Sequence, residues 1–416
     1  MFFLYQIIVS IIILITPLIL IYRLIKNKED KKRFIEKFSF PTKKKREGKL
    51  IWFHGASVGE LLSVIPVIKH YEKKKSIDQI LVTSSTLSSS KVFQKFKFKK
   101  TIHQFYPIDH LYFTNKFLNY WKPNLAIFIE SEIWPCMFKK LKERNINLIL
   151  LNARFTKKTF DRWMKIKFFS KSIFEKITIA FPQNNETSTF LKKINTAKVN
   201  FIGNLKFAEN NDHSQNKLSD FLKIELKNKK VWVASSTHKN EEIFCAKTHL
   251  ELKKKTKNLL TIIIPRHIHR VKEIVSELNK YNLKVVCHSS RKKNLKKIDI
   301  YIVDTFGETQ KFHKNSSSVF LGGSIINRGG QNPLEAARYG AKIFHGPNID
   351  NFKDIYALLK NLNISKKIST PKQLASFIVF KKNKIIGNKI KKMGTKILNK
   401  TLRKLDTYIK NEYKKT

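Results

Sequence analysis

Short apolar runs, each ending in a polar or glycine-bearing segment and followed by a longer amphipathic stretch, recur along most of this chain. That rhythm limits its fold more than any other feature. The strand candidates are 50–54 (LIWFH), 79–83 (QILVT), 125–129 (LAIFI), 147–151 (NLILL), 176–181 (KITIAF) and 199–202 (VNFI). Helical patterns such as 58–74 and 159–174 fill the gaps. Near-continuous apolar strands alternating with amphipathic helices predict a parallel sheet covered on both faces. Residues 208–229 interrupt the pattern with AENNDHSQN and no strong strand. It then restarts at 231–235 (VWVAS), 259–264 (LLTIII), 283–287 (LKVVC), 300–303 (IYIV), 317–321 (SSVFL) and 341–345 (AKIFH). At 416 residues there is room for two such cores. The expected fold class is therefore α/β, with two doubly wound parallel-sheet domains.

The first 22 residues carry no charge, and Phe2 to Ile21 is nearly all Ile, Leu, Phe, Val and Tyr. About 20 such residues in a helix match the ~30 Å hydrocarbon core of a bilayer. A cleaved signal peptide needs a basic start, a shorter apolar run and a small-residue cleavage site, and none of these is present. Arg23, Lys26, Lys28, Lys31, Lys32 and Arg33 follow at once. The positive-inside rule then predicts a single transmembrane anchor with the remainder of the chain on the cytoplasmic side. Residues 39–48 (SFPTKKKREG) read as a polar hinge before the first domain.

The net charge of +52 raises nucleic-acid binding. Against it, the basic residues are 71 Lys and only 12 Arg, spread along the chain, and no helix-turn-helix, zinc-finger or RNP pattern is present. Attraction to anionic lipid is the better functional reading, and nucleic acid is not expected as a partner. Three separated cysteines without ligand spacing predict neither a disulfide framework nor a zinc site.

Reactive residues collect just after the strands, where ligands bind to open parallel sheets. The segments are GASVGE after 50–54, ESEIWP after 125–129, NARF after 147–151 and GNLK after 199–202. In the second half they are STH, PRH, DTFGE and GGSIINRGGQNPLE. Gly322, Gly323, Gly329 and Gly330 permit close backbone approach, and Asn332-Pro333 opens a helix whose free N–H groups favour an anion. Gly307-Glu308 offers a second helix start of that kind, Arg266 a forked phosphate donor, and Glu335 an acceptor for ribose hydroxyls. A phosphorylated ribonucleotide is the expected ligand of this half. Glu60, at the start of its helix, is either a base for a hydroxyl or simply an acid complementing the helix dipole. Glu130 and Glu132 stand in a similar setting, and Lys206 suits a developing negative charge. His54, His238, His267 and His269 lack metal spacing, no DxD motif occurs, and no metal or cofactor is expected.

The ordered set WFHGASVGE, ESEIWP, LLNARF, GNLKF, ASSTHKNEE, PRHIHR, DTFGE and GGSIINRGGQNPLEAARYG resembles the 3-deoxy-D-manno-oct-2-ulosonic acid (Kdo) transferases of lipopolysaccharide synthesis. The resemblance covers essentially the whole chain. It implies a GT-B fold of two Rossmann-like domains facing a cleft, and an inverting, metal-independent transfer from CMP-Kdo to a lipid A precursor, lipid IVA, at the bacterial inner membrane. By resemblance Glu60 is the general base, and Glu130 and Lys206 assist the transition state. Pro265, Arg266, Phe306, Gly307, Glu308, Asn332, Pro333, Leu334 and Glu335 are the CMP-contacting positions. Gly55, Ser131, Phe306 and Gln331 depart from the usual Ala, Thr, Met and His. The residues alone leave open another GT-B transferase with a different lipid acceptor, or a non-catalytic basic membrane-surface protein. The domain expectation is an anchor at 1–25, a basic connector at 26–48, an acceptor-side domain at 49–207, a linker at 208–229, a nucleotide-sugar domain at 230–387 and a helical tail at 388–416.

Overall fold

A computed structural model describes residues 1–209, 218–290 and 294–413. Contacts divide the chain into two units, Met1–Asn210 with Gly394–Thr416, and Asn211–Met393. Within the segment read as a linker, 210–217 lie outside the described residues, and Asp220–Lys227 is a helix.

The first unit holds a six-stranded sheet built from β1 (Leu50–His54), β2 (Gln79–Ser84), β3 (Thr101–Phe105), β4 (Leu125–Ile129), β5 (Asn147–Ala153) and β6 (Ile179–Pro182). Their order is β3-β2-β1-β4-β5-β6, and every pairing is parallel. This is the order of a nucleotide-binding doubly wound sheet, with its switch point between β1 and β4. All five residues of β1 are buried. Ile51 and Phe53 point into one core with Leu61, Val64 and Ile68 of the helix Val58–Glu72. Leu50 and Trp52 point into the other with Phe117, Phe128 and Phe138. Each such side chain contributes roughly 1.5–3 kcal/mol on burial, which is why both faces must be covered. Leu402, Leu405 and Ile409 of the long helix Lys384–Tyr413 complete the first of these cores.

The second unit holds β7 (Lys230–Thr237), β8 (Leu259–Pro265), β9 (Val285–Cys287), β10 (Ile300–Ile302), β11 (Ser318–Leu321), β12 (Lys342–His345) and β13 (Ser365–Lys367). The order is β13-β12-β11-β7-β8-β10-β9, again all parallel, with the switch point between β7 and β11.

Three local expectations change. Residues 199–202 form no strand, since only Val199 bridges Ala180 before the chain turns at Gly203 with φ +116°. The helix read at 159–174 is two, Lys157–Met164 and Lys167–Phe174, broken where Ile166 leaves helical geometry at φ −120° and ψ 48°. The hinge read at 39–48 is fastened to the first unit. Arg46 N–H donates to Gln79 Oε1 (2.9 Å), and Gln79 Nε2 donates back to Lys44 O (3.2 Å).

The N-terminal helix runs from Phe2 to Ile25 and is the one described helix long and apolar enough to cross a membrane. Phe2, Tyr5, Val9, Ile13, Thr16, Leu20 and Leu24 are among its less exposed residues, a mostly apolar stripe at three- and four-residue spacing along its whole length. Phe2 and Tyr5 pack against the core that contains Phe169.

Candidate active site

At the switch point of the first unit, β1 ends at His54 and the chain turns through Gly55 and Ala56 into a helix capped by Ser57. Ser57 and Glu60 form a capping box. Glu60 Oε2 accepts from Ala56 N–H (2.6 Å) and Ser57 N–H (3.3 Å), and Oε1 accepts from Ser57 Oγ (2.8 Å). Glu60 therefore does fill the structural role open to a first-turn acid, a cap contributing about 1 kcal/mol. Its carboxyl is nonetheless pushed up to about 7, first by burial and then by the charges of Glu132 and Glu130, against the opposing Ser57 hydrogen bond. A cap alone does not explain that environment. A base for a hydroxyl near neutral pH needs it. A Cβ at Gly55 would stand 3.1 Å from Glu60 Cβ and from Ile129 Cδ1, so glycine there leaves the Glu60 side chain uncrowded.

Glu130 follows β4 with φ +57°, a strained conformation for a non-glycine residue. Its amide donates to Leu151 O (3.0 Å), which holds the turn against β5. Asn152 on β5, also left-handed at φ +53°, accepts from Leu205 N–H (2.9 Å) and so positions the short turn Leu205–Ala208. Lys206 on that turn reaches Glu130 Oε1 at 2.6 Å, both side chains being largely buried. Three predicted residues, Glu60, Glu130 and Lys206, thus belong to one cluster at the carboxyl ends of β1 and β4.

Two neighbours carry more of the site than the sequence suggested. Glu132 Oε2 accepts from Trp134 Nε1 (3.0 Å) and lies 3.2 Å from His54 Nε2. His54 is fully buried, stacks on Tyr106 at 3.9 Å, and is held below the usual histidine range by desolvation. A neutral His54 donating from Nε2 accepts at Nδ1 from Thr83 Oγ1 (2.9 Å), whose oxygen accepts from Trp52 Nε1 (2.9 Å). The four groups make one directed chain that ends on Glu132. His54 had read as a turn histidine. The signal that marked it was its place at the end of a fully buried strand.

In the second unit the glycine-rich loop serves a different purpose from the one read in the sequence. Glu241, fully buried, accepts from four backbone N–H groups: His238 (3.0 Å), Gly323 (2.7 Å), Ser324 (3.1 Å) and Ile325 (3.0 Å). A Cβ on Gly322 would come within 2.4 Å of Ser236 O and 2.7 Å of Glu241 Oε2. Gly322 therefore makes room for Glu241, Gly323 turns its amide towards it at φ +67°, and the loop's amides here are occupied by a protein carboxylate rather than left for a phosphate. The expected helix at Asn332-Pro333 is a single turn, Leu334–Ala337, and Asn332 Oδ1 already accepts from Leu334 N–H (3.0 Å). Its dipole is accordingly short.

What points outward at this end is cationic. Arg266 follows Pro265 at the end of β8, its amide held by Thr237 O (2.9 Å) and its side chain exposed. Desolvation, with the charges of His267, Arg328, Arg266 and Arg270, holds His238 below its usual range. Arg328 was not singled out from the sequence, although it sits inside GGSIINRGG. Gly307 adopts φ +86° beside Phe306, which is 78% exposed, and Glu308 pairs with Lys311 at 2.8 Å. Glu335 lies 3.9 Å from His313 Nδ1, and enclosure raises its carboxyl above the normal range. Among the described residues no group of three or more His, Cys, Asp or Glu is arranged to hold a metal ion.

Residues 32–209 match the family described as 3-deoxy-D-manno-octulosonic-acid transferase. A 3-deoxy-D-manno-octulosonic acid transferase of Rickettsia bellii is 36% identical over 341 residues, 81% of this chain and 80% of that one. The chain belongs to the Kdo transferase family. A second relative of the same description, from Rickettsia felis, is 38% identical over 74% of this chain and 66% of its own length. Among solved structures, the UDP-GlcNAc 2-epimerase of Neisseria meningitidis bound to UDP-GlcNAc superposes with a TM-score of 0.56 at 14% identity, over 88% of this chain and all of that one. That likeness speaks for the fold alone. This Kdo transferase family member is a glycosyltransferase with two Rossmann-like domains of GT-B type.

Proposed function

We propose that the chain transfers Kdo from CMP-Kdo to a hydroxyl of a lipid A precursor, lipid IVA, with inversion and without a metal ion, at the cytoplasmic face of a bacterial inner membrane. The observation that carries this reading is the Glu60 carboxyl, raised to about 7 by burial and by Glu132 and Glu130. Glu60 takes the proton of the acceptor hydroxyl as its oxygen bonds to the anomeric carbon of Kdo. The bond from that carbon to the phosphate oxygen breaks on the opposite face, and CMP leaves with the electron pair. Lys206, held by Glu130, offsets negative charge during transfer. Glu132, backed by His54, keeps the Glu60 proton affinity high enough for a base at neutral pH.

In the second unit, Pro265 and Arg266, Phe306 to Glu308, and Asn332 to Glu335 are the proposed CMP contacts. The exposed cations Arg266 and Arg328 supply the attraction for its phosphate. The deciding experiment is incubation of the full chain with lipid A precursor and freshly made CMP-Kdo, in excess EDTA, with products read by mass. A product heavier by one or more Kdo units supports the reading. Transfer that needs added Mg²⁺, or none to this acceptor, refutes the corresponding part. Glu60→Ala should abolish transfer while CMP affinity stays within about twofold, because base and nucleotide contacts belong to different units. Near wild-type transfer by that variant would remove Glu60 from the mechanism.

A further inference from the structure

Both ends of the apolar N-terminal helix are fastened to the same folded unit. Near its start, Tyr5 donates its hydroxyl to Asp109 Oδ2 (2.8 Å), Ser10 Oγ meets His110 Nε2 (3.4 Å), and the Phe2 ring packs against Phe169. Near its end, Arg23 Nε donates to Glu29 Oε1 (2.6 Å), which also takes Lys37 Nζ (2.7 Å). Glu29 is buried, and the neighbouring Glu36 accepts the amide of Phe105 on β3 (2.7 Å). Between these two points Val9 and Leu20 are buried.

A helix of 24 residues is about 36 Å long. Were it to cross a bilayer, its two ends would stand on opposite surfaces, about 30 Å apart. Asp109 and His110 would then lie across the membrane from Glu29 and Lys37. They are parts of one doubly wound domain, so crossing and these contacts exclude each other. The opposite side of the helix cannot be left in water either. Phe3, Ile11, Leu14, Leu18, Ile21 and Ile25 are between 53% and 79% exposed, a continuous apolar face larger than soluble proteins ordinarily carry.

We propose that the helix Phe2–Ile25 lies in the plane of one leaflet, its outward face in the acyl chains and both ends on the same side of the bilayer. Charge favours an anionic leaflet as the occupant. Lys26, Lys28, Lys31 and Lys32 follow the helix directly and are exposed, and residues 43–46 add four more cations. The same contacts tie the helix to the site. Asp109 also accepts from Cys136 N–H (3.0 Å) and Met137 N–H (2.9 Å), capping the helix Pro135–Glu143 that follows Glu132.

The test uses the full chain with a short epitope ahead of Met1, in membrane vesicles of both orientations probed with a protease that cannot cross them. In inside-out vesicles the epitope should be cleaved, as a second epitope after Thr416 should be, and in right-side-out vesicles both should survive. An N-terminal epitope reached only from the opposite face overturns the proposal. So does a chain that leaves the membrane fraction without detergent and runs as a dimer through this face. A second arm measures flotation with vesicles of phosphatidylglycerol and phosphatidylcholine. The variant Leu14→Lys with Leu18→Lys should float at least ~10-fold less. Its transfer to detergent-dispersed acceptor should be unchanged, which separates a failure here from a failure of the transferase reading. Unchanged flotation counts against the proposal.

Discussion

Replacing Glu60 by glutamine should abolish transfer and yet leave the first unit better off in alkaline than in acid solution, relative to the parent protein. The carboxyl titrates near 4.5 when free and at about 7 in the fold, so the folded state holds the proton more tightly. Stability from this group is present below the unfolded value and falls as the pH rises towards 7, because ionisation then takes place in a desolvated site beside two carboxylates. Above that window the loss is complete and level. Integrated between about pH 5 and about pH 8, the loss is on the order of 2–3 kcal/mol. Glutamine has no such titration. Its amide oxygen, in the place of Oε2, keeps both the Ala56 and Ser57 N–H bonds, and its N–H₂ group faces Ser57 Oγ, which can turn to accept, so the cost of the exchange is at most about 1 kcal/mol and does not vary with pH. The variant's stability relative to the parent should therefore improve by on the order of 2–3 kcal/mol across that pH range, whatever its starting value. Urea unfolding followed by tryptophan fluorescence reads this well, since Trp52, Trp121, Trp134 and Trp163 lie in the first unit and only Trp232 in the second. With a slope of roughly 2–3 kcal/mol per molar urea, the midpoint difference between the two proteins should shift by about 1 M. A difference that stays constant with pH would mean that Glu60 titrates normally, and the argument for it as a neutral-pH base would fail.

Transfer by the parent protein should rise with pH through about 7 as Glu60 ionises, and Glu132→Gln should move that limb to lower pH by removing one repelling charge; an unmoved or raised limb counts against the assignment. Lys206→Met should leave Glu130 as an unpaired, largely buried charge and cost about 3–5 kcal/mol in urea unfolding, much of it recovered by adding Glu130→Gln, while transfer stays lost in both. Glu241→Ala should orphan four amides, destabilise the second unit by at least about 3 kcal/mol and weaken CMP binding measured by calorimetry. Gly322→Ala should weaken CMP binding in the same assay, because its Cβ has no room beside Ser236 O.

The central strands were legible because both faces of a parallel sheet are buried, so β1, β4 and β8 read as unbroken apolar runs. Of the four edge strands, β6 and β9 were read at 176–181 and 283–287, and β3 and β13 were not. β3 (TIHQF) and β13 (SKK) each have one free side and tolerate polar residues, and neither looks like a strand in isolation. Sheet order was likewise out of reach, since which strand lies beside which depends on helix packing across the whole unit. In the site, Glu60 and Glu130 were visible from their position after strands, and Lys206 from its place in GNLK, although 199–202 forms no strand. The partnership of Glu132 with His54 was not, because it joins residues 78 positions apart. The same distance effect hid Glu241. Three of its four donors lie more than 80 residues on, so the glycines opposite it looked like a cradle waiting for an anion.

The last described helix lends Leu402, Leu405 and Ile409 to a core whose first strand begins at Leu50. The half of the molecule synthesised first is therefore finished last. While the second unit is still emerging from the ribosome, the sheet that carries Glu60 lacks part of one face, and its apolar helix Val58–Glu72 stands partly uncovered. A chain cut short before residue 402 would carry every side chain proposed above for catalysis and still be unable to close the core behind the helix that bears Glu60. Truncation before residue 402 should therefore cost transfer through folding of the first unit, with no residue of the proposed site removed.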